Sequence, residues 1–268
     1  HTRYWPDWSS DVCSSDLPAR PTPAGRRLLP YLAQLRLMEA EARRALSPRQ
    51  VDGPLRLAVG VNADSLATWF IGAVAEVVRD EGIVLDCVVD DQDHTHALLA
   101  DGEVLGCVST RADPMRGCAA VRLGAMPYLC AGSPDFRARW FPQGLTATAL
   151  ARAPAIVFGH HDDMHEAFLL RHFGLDSRRY PHHVVPSSEG FMAFALAGLG
   201  YGFVPEIQAR AHLARGELVD LAPEREEVVL YWHHWQVQSP VMARLAQAIG
   251  DAAGRALGGE RRHPARPG

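Results

Sequence analysis

The sequence predicts an α/β protein in which a long helix precedes two consecutive units of alternating strands and helices. From 22 to 46, apolar residues recur every three or four positions, which is typical of an exposed amphipathic helix. From residue 55 onwards, short apolar runs of strand type alternate with segments of helical period. This alternation favours a mainly parallel sheet with helices on its faces, and two such units would leave a ligand-binding cleft between them.

Composition and charge exclude several classes of protein. The 268 residues carry a formal net charge of −4, so no global basic field points to nucleic acid. No apolar run approaches the ~20 residues that span a bilayer, and the first residues lack the apolar stretch of a secretory signal. The five cysteines form no CxxC pair, which favours reduced, buried thiols. We therefore expect a cytoplasmic protein without membrane contact.

Both ends of the chain differ from the rest. Residues 1–17 show neither helical nor strand period, and they repeat the tripeptide Ser-Ser-Asp. They resemble the translation of a sequencing-library adapter, so we treat them as a non-native segment, with a disordered natural N-terminus as the alternative. The Arg- and Gly-rich tail over 258–268 is expected to be disordered.

The first predicted helix has a clear start and an unpartnered stripe. Thr22 followed by Pro23 is a typical helix start, with the cap residue first and proline next. An apolar stripe follows, and its partner could be a separate chain or the body of this one. We predict that this stripe forms a dimerisation helix through Leu28, Leu32, Leu35 and Met38.

The first α/β unit begins with an apolar strand that feeds a polar turn and then a helix. The strand covers 55–61, Asn62, Asp64 and Ser65 shape the turn, and a helix over 64–80 ends at Gly82. A helix start of this kind attracts a carboxylate or phosphate, but this segment alone favours the alternative, an ordinary strand–helix unit with a good N-cap. Further predicted elements are a strand over 83–90, a helix over 93–101, a strand over 104–109 and two strand pieces within 121–131 around Met126 and Pro127.

The second unit, which begins near Ser133, repeats the same device. Ser187 and Ser188 follow a strand and open a helix, so two serine-bearing helix starts could face each other across a cleft and hold one small polar ligand. The predicted strands cover 155–158, 183–185, 202–204 and 228–233, and the predicted helices cover 163–173, 189–199 and 241–256.

Acidic residues follow the same strand ends. Asp90, Asp91, Asp162, Asp163 and Glu189 all lie near predicted helix starts. The ordinary interpretation is the electrostatic preference of carboxylates for a first helical turn. The alternative is that some of them bind a cationic group of the ligand, which would then be a basic amino acid.

Metal and enzymatic interpretations are less well supported. His161 and His165 are one turn apart, but no HExxH pattern occurs, and His233 and His234 should point to opposite faces of a strand. A Ser188–His165–Asp162 triad would lack the GxSxG elbow. We therefore expect no catalytic residue, metal or cofactor.

Several longer motifs point to a family. They are Pro21–Gly25, Val61–Phe70, Gly106–Ser109, Leu123–Tyr128, His161–His165, Pro186–Glu189, Gly216–Leu221 and Leu230–His233. With these motifs, the chain from about Arg20 to Ala256 resembles the LysR-type transcriptional regulators, and most closely their ArgP/LysG (chromosome initiation inhibitor) branch.

The resemblance implies a fold and a domain organisation. It implies a winged helix-turn-helix, a dimerising linker helix and a two-subdomain effector domain like a type 2 periplasmic binding protein. On this basis, 18–50 would hold the remnant of the helix-turn-helix and the linker helix. Effector subdomain 1 would comprise 51–132 and 226–257, and subdomain 2 would comprise 133–225.

The resemblance also implies partners and site residues. Family members form homodimers or homotetramers, bind promoter DNA and respond to lysine or arginine. The implied effector-binding residues are Asn62, Asp64, Ser65, Thr68, Asp90, Ser109, Asp162, Asp163, Ser188 and Glu189. Because most of the DNA-binding domain should precede Pro21, we do not expect this chain to bind promoter DNA. The alternative function is that of a solute-binding protein for a small amino acid or anion.

Overall fold

The computed structural model describes residues 21–46, 53–89, 94–159, 163–175 and 180–258. Within these ranges the chain forms two compact units. The first comprises residues up to 62, 72–122 and 231–251, and the second comprises 63–71, 123–230 and 252 onwards. No helix in the described part of the chain is long and apolar enough to cross a membrane. The α/β class predicted from the sequence is confirmed.

Helix α1 covers Pro23–Leu46, as predicted. Its start is capped by Thr22, whose Oγ1 accepts a hydrogen bond from the N–H of Gly25 at 3.1 Å. One side of the helix is buried through Pro30 and Leu37, and Gly25 is buried at the helix start. The opposite side exposes the predicted apolar stripe of Leu28, Leu32, Leu35 and Met38, together with Tyr31, which was not predicted.

Three contacts fix α1 to the first unit. A Cβ on Gly102, which has a φ of +71°, would lie 2.5 Å from the backbone nitrogen of Pro30, so only glycine allows this approach. Arg44 donates hydrogen bonds to the carbonyl oxygens of Glu81 and Gly82 at 2.9 and 3.3 Å. The carboxylate of Glu41 accepts hydrogen bonds from the hydroxyl of Ser239 and from a backbone N–H.

The first unit is built on three parallel strands. Strand β1 (Leu55–Val61) pairs in parallel with β2 (Ile83–Val89) and with β3 (Gly106–Ser109). A helical run, α2, connects β1 to β2 and comprises Ala63–Ser65, a π-helical turn Leu66–Phe70 and Ile71–Glu81. Helix α3 (His94–Ala100) leads to β3. Gly82, with a φ of +55°, ends α2 as predicted.

The second unit combines parallel and antiparallel pairs. Its core packs Leu129, Ile156 and Phe191 together. Strand β4 is antiparallel to β7, and β5 is parallel to β6. The remaining elements of the chain are β4 (Cys118–Gly132), α4 (Pro134–Trp140), α5 (Ala147–Leu150), β5 (Ala155–Val157), α6 (Asp163–Phe173), β6 (His182–Val184), α7 (Ser188–Leu196), β7 (Gly202–Pro205), α8 (Glu206–Ala214), β8 (Val219–Trp235) and α9 (Pro240–Ala256).

The structure corrects several sequence predictions. The two strand pieces predicted around Met126 and Pro127 are one 15-residue strand, and the strand predicted over 228–233 is part of a 17-residue strand. The sheet is mixed rather than mainly parallel, because β8 is antiparallel to β3 and β4 is antiparallel to β7. Helices α4, α5 and α8 were not predicted. The adapter-like residues 1–17 and most of the tail lie outside the described residues.

The cysteines match the prediction of buried thiols where the structure describes them. Cys107, Cys118 and Cys130 are buried, Cys87 is partly buried, and all four are free. Burial raises the pKa of the Cys118 thiol to about 11, which keeps this thiol protonated and unreactive at neutral pH.

Candidate functional site

The first serine-bearing helix start lies at the head of α2. The side chain of Ser65 is fully buried, and its Oγ has no hydrogen-bond partner among the described residues. Asn62, in the turn before this helix, is also buried, and its Oδ1 has no hydrogen-bond partner among the described residues. Asn62 therefore does not cap the helix as its residue type suggested. A buried hydroxyl without a hydrogen-bond partner is unfavourable by about 1–3 kcal/mol.

The π-helical turn begins directly after Ser65. The hydroxyl of Thr68 donates a hydrogen bond to the backbone carbonyl of Asp64 at 2.6 Å. A threonine hydroxyl that bonds to the carbonyl four residues earlier competes with the normal helical hydrogen bond. The predicted site residue Thr68 therefore shapes the backbone at this helix start, and π-helical turns of this kind are frequent at functional sites.

The second serine-bearing helix start lies at the head of α7. Ser187 is the N-cap, and its Oγ accepts a hydrogen bond from the N–H of Gly190 at 3.1 Å. Ser188, the first helical residue, is only 3% exposed. Its Oγ lies 2.6 Å from Oδ1 of Asp64 and 3.2 Å from Oε1 of Gln208 on α8.

Asp64 connects the two helix starts. Its Oδ1 accepts a hydrogen bond from the Ser188 hydroxyl, and its Oδ2 accepts one from the phenol of Tyr128 on β4 at 2.7 Å. Both distances are typical of charge-assisted O–H···O⁻ hydrogen bonds, which are about twice as strong as neutral ones. The sequence prediction that the two serine-bearing turns belong to one site is consistent with this hydrogen bond, which joins residues 124 positions apart.

Three further predicted site residues lie at other strand and helix ends of the described chain. Ser109 is fully buried at the end of β3, where its Oγ accepts a hydrogen bond from the N–H of Arg111 at 3.3 Å. Asp163, at the start of α6, is exposed, and Glu189 is exposed near Ser187. Asp90 and Asp162 lie outside the described residues.

His165 is a core residue of the second unit. Its ring packs against Tyr180, Tyr201 and Phe203, with ring centroids 5.1, 5.3 and 5.9 Å away. Burial lowers the pKa of this imidazole to about 3, with a smaller contribution from His182, so the ring is neutral at physiological pH. Both ring nitrogens lack a hydrogen-bond partner among the described residues.

This position of His165 bears on the two alternative chemistries. The Ser188 hydroxyl donates to Asp64 rather than to an imidazole, so the hydrolase triad is not formed where the chain is described. Over the same residues, no group of three or more His, Cys, Asp or Glu side chains could hold a metal ion. On β8, His233 is fully buried and His234 is partly exposed, in agreement with their predicted opposite faces.

Two residues of the Asp64 cluster were not predicted. Tyr128 lies in a motif that carried the family resemblance, but its strand period marks it only as a buried residue of β4. Gln208 lies on a helix that was not predicted at all. The contacts of Tyr128 with Asp64 and of Gln208 with Ser188 depend on tertiary packing, which periodicity does not report.

A family profile and individual relatives both relate this chain to LysR-type regulators. The family profile of the LysR substrate binding domain matches residues 48–254. The HTH-type transcriptional regulator ArgP of Aeromonas salmonicida is 42% identical over 241 residues, which cover 90% of this chain and 81% of the relative. The regulator of the same name from Pseudomonas aeruginosa is 43% identical over 248 residues, covering 92% and 82%.

Solved structures agree with the sequence relatives. The crystal structure of ArgP from Mycobacterium tuberculosis matches with a TM-score of 0.82 and 36% identity, over 90% of this chain and 81% of that one. Full-length LysG from Corynebacterium glutamicum with bound effector Arg matches with a TM-score of 0.81 and 35% identity, over 92% and 83%. These relatives are regulators rather than enzymes, and the α/β effector-domain fold that the resemblance implied is confirmed. The chain belongs to the LysR family of transcriptional regulators, as its motifs predicted.

Proposed function

We propose that this regulator responds to a basic amino acid, arginine or lysine, bound at the two serine-bearing helix starts. The observation that carries this proposal is the hydrogen bond between Asp64 and Ser188, which joins the heads of α2 and α7 through a partly buried carboxylate. The LysG structure with bound effector Arg supports a basic amino acid as the ligand class.

The head of α2 provides groups for the ligand carboxylate. The buried Ser65 hydroxyl has no partner among the described residues, and the backbone N–H groups of a first helical turn carry a partial positive charge. A ligand carboxylate would accept a hydrogen bond from this hydroxyl, with Asn62 and Thr68 in the same stretch of chain. Ser109, at the end of β3, is proposed as a further effector contact.

The cationic end of the ligand requires carboxylates. Of the acidic candidates Asp90, Asp162, Asp163 and Glu189, Asp163 lies at the first residue of α6 and is exposed. We assign the guanidinium or ammonium of the side chain to this acidic set, because a carboxylate pairs with either cation. Neither lysine nor arginine is preferred by this assignment.

The apolar stripe of α1 supports self-association. Leu28, Leu32, Leu35 and Met38 are all at least 45% exposed on one helix face. Exposed apolar stripes of this kind mark helix–helix interfaces. We propose that the stripe forms a homodimer or homotetramer interface. Promoter DNA is the proposed partner, in the cytoplasm, of a regulator that carries the winged helix-turn-helix of the family. Effector subdomain 1 (51–132 and 226–257) and subdomain 2 (133–225) are proposed to respond to the ligand.

Isothermal titration calorimetry with L-arginine, L-lysine and L-norleucine tests the ligand class. We expect arginine or lysine to bind at least tenfold more tightly than norleucine, which shares the amino acid group but lacks the cation. Ser65→Ala should weaken all bound ligands alike, whereas Asp163→Asn should weaken the basic ones only, by about tenfold. Asp135→Asn, at an exposed acid of α4, is the matched control. Absence of binding by both basic amino acids would refute the proposal.

A further inference from the structure

Two buried histidines meet in the first unit, on the face of the sheet against which α3 packs. His96 on α3 is 9% exposed, and His233 on β8 is fully buried. Their rings lie edge to face, with centroids 5.3 Å apart and an angle of 84° between the ring planes. In the antiparallel pairing of β3 with β8, His233 lies opposite Cys107, and Cys107 belongs to the same buried cluster as Leu99 of α3. The histidine pair is therefore part of the contact between α3 and the sheet.

The hydrogen bond of His233 determines which of its ring nitrogens carries the proton. Its Nε2 lies 2.8 Å from the backbone carbonyl oxygen of Arg111, in the loop after β3. A carbonyl oxygen only accepts, so Nε2 is the donor and Nδ1 of the neutral ring offers a lone pair. This Nδ1 and Nε2 of His96 are both buried, and neither has a hydrogen-bond partner among the described residues. A proton added to Nδ1 of His233 would therefore create a buried N–H group without an acceptor.

The surroundings of the pair disfavour a positive charge on either ring. Within the described chain, neither imidazole forms an ion pair with a carboxylate. Burial lowers the pKa of His96, and the charge of Arg111 and the neighbouring His233 lower it further. The elements packed around the pair carry these other titratable or charged residues among those that the structure describes: Arg56 on β1, Asp86 and Cys87 on β2, Asp101 and Glu103 after α3, Cys107 on β3, Asp113 and Arg116 after β3, and Tyr231 and His234 on β8.

Helix α3 depends on its packing to remain in place. It has only seven residues, and a helix of that length is unstable in water on its own. We infer that His96 and His233 form a proton-sensitive latch, which holds α3 on the sheet while both rings are neutral and releases α3 in mild acid. Because the pKa of His96 is lower in the folded protein than its ordinary value of 6.5, the latch is complete above pH 6.5 and is lost as the pH falls below it. Neither histidine is assigned to effector binding, so the latch is a property beyond the proposed function.

Hydrogen exchange tests the latch, with protection factors that correct for the intrinsic pH dependence of exchange. Between pH 7 and pH 5, the protection of the α3 amides in the wild type should fall by about tenfold, because the opened segment binds a proton that the latched segment does not. His96→Phe keeps an aromatic ring in the pair but cannot be protonated, so its α3 protection should not change with pH over this range. His234→Phe is the matched control, because His234 is partly exposed on the opposite face of β8, and it should reproduce the wild-type fall. Equal falls in the wild type and His96→Phe would overturn the inference.

An NMR titration of the imidazole resonances gives a second measurement on the wild-type chain. The His96 ring should titrate with a midpoint below the ordinary pKa of 6.5, and the loss of α3 protection should follow the same midpoint. A midpoint at or above 6.5, or an α3 protection that does not follow the titration of His96, would overturn the inference even if His96→Phe fails to fold.

Discussion

Protonation of one buried histidine should set the stability of the second unit in mild acid. His165 is surrounded by aromatic rings, and burial lowers its pKa to about 3 from an ordinary value of 6.5. Between these two values the unfolded chain binds a proton that the folded chain does not. The stability associated with His165 is therefore complete above pH 6.5, and it is lost progressively as the pH falls toward 3.

The size of this effect follows from the difference in proton binding. Each pH unit below 6.5 should lower the free energy of unfolding by about 1.4 kcal/mol from His165 alone. Between pH 7 and pH 5, where most carboxylates remain ionised, the loss should be about 2 kcal/mol. In His165→Leu, the pH-dependent part of the free energy of unfolding that comes from this imidazole disappears. The substitution also removes two buried ring nitrogens that lack hydrogen-bond partners among the described residues.

Urea denaturation at pH 7, 6 and 5 measures both curves. The free energy of unfolding of His165→Leu should fall by about 2 kcal/mol less than that of the wild type over this range. His183→Leu makes the same chemical change at an exposed position of β6 and should not reproduce the flatter curve. Parallel curves for the wild type and His165→Leu would refute the assignment of the acid sensitivity to this imidazole.

Two further substitutions test the first helix. Gly102→Ala should destabilise the protein by about 1–3 kcal/mol in urea denaturation, because its Cβ would meet the backbone of Pro30 at 2.5 Å. Gly144→Ala is the control, because Gly144 has a similar positive φ but nothing lies within 4 Å of an added Cβ. It should cost only the about 1 kcal/mol of the left-handed backbone. An equal loss of stability in both variants would exclude a clash at Gly102. Leu35→Asp should convert the oligomer to a monomer in sedimentation velocity, because it places a charge in the exposed apolar stripe. The neighbouring Arg36→Asp is the control and should leave the oligomer unchanged. An unchanged oligomer in Leu35→Asp would place the interface elsewhere.

The sequence predicted those elements in which local signals agree. Helix α1 has a capped start and a continuous apolar period, and β1 and β2 have apolar runs bounded by turn residues, so their bounds were predicted to within a residue or two. The long strand β4 was divided in the prediction because Pro127 lacks an N–H and is expected to end a strand. The structure accommodates Pro127 within β4, where the antiparallel pairing with β7 runs from Tyr128 to Ala131.

The candidate site was predicted only where a residue carries its own signal. Asp64, Ser65 and Ser188 were named because polar residues at helix starts are visible in the sequence. Tyr128 and Gln208 were missed because their contacts with Asp64 and Ser188 join residues 64 and 20 positions apart. The same local pattern was misleading for His165, since a histidine one turn after another suggests a metal ligand until its aromatic neighbours are known.

Glu41 and Arg44, near the end of α1, limit how this helix can move. Glu41 holds the first turn of α9 and Arg44 holds the last carbonyls of α2, so each charge complements the dipole of the helix end that it binds. Pro30 against Gly102 adds a further point of attachment, about 16 Å along the axis from Glu41. Because α1 is held at these two separate places, it cannot pivot or twist independently of the rest of the first unit. A rotation of that unit therefore moves both ends of α1 by the same angle.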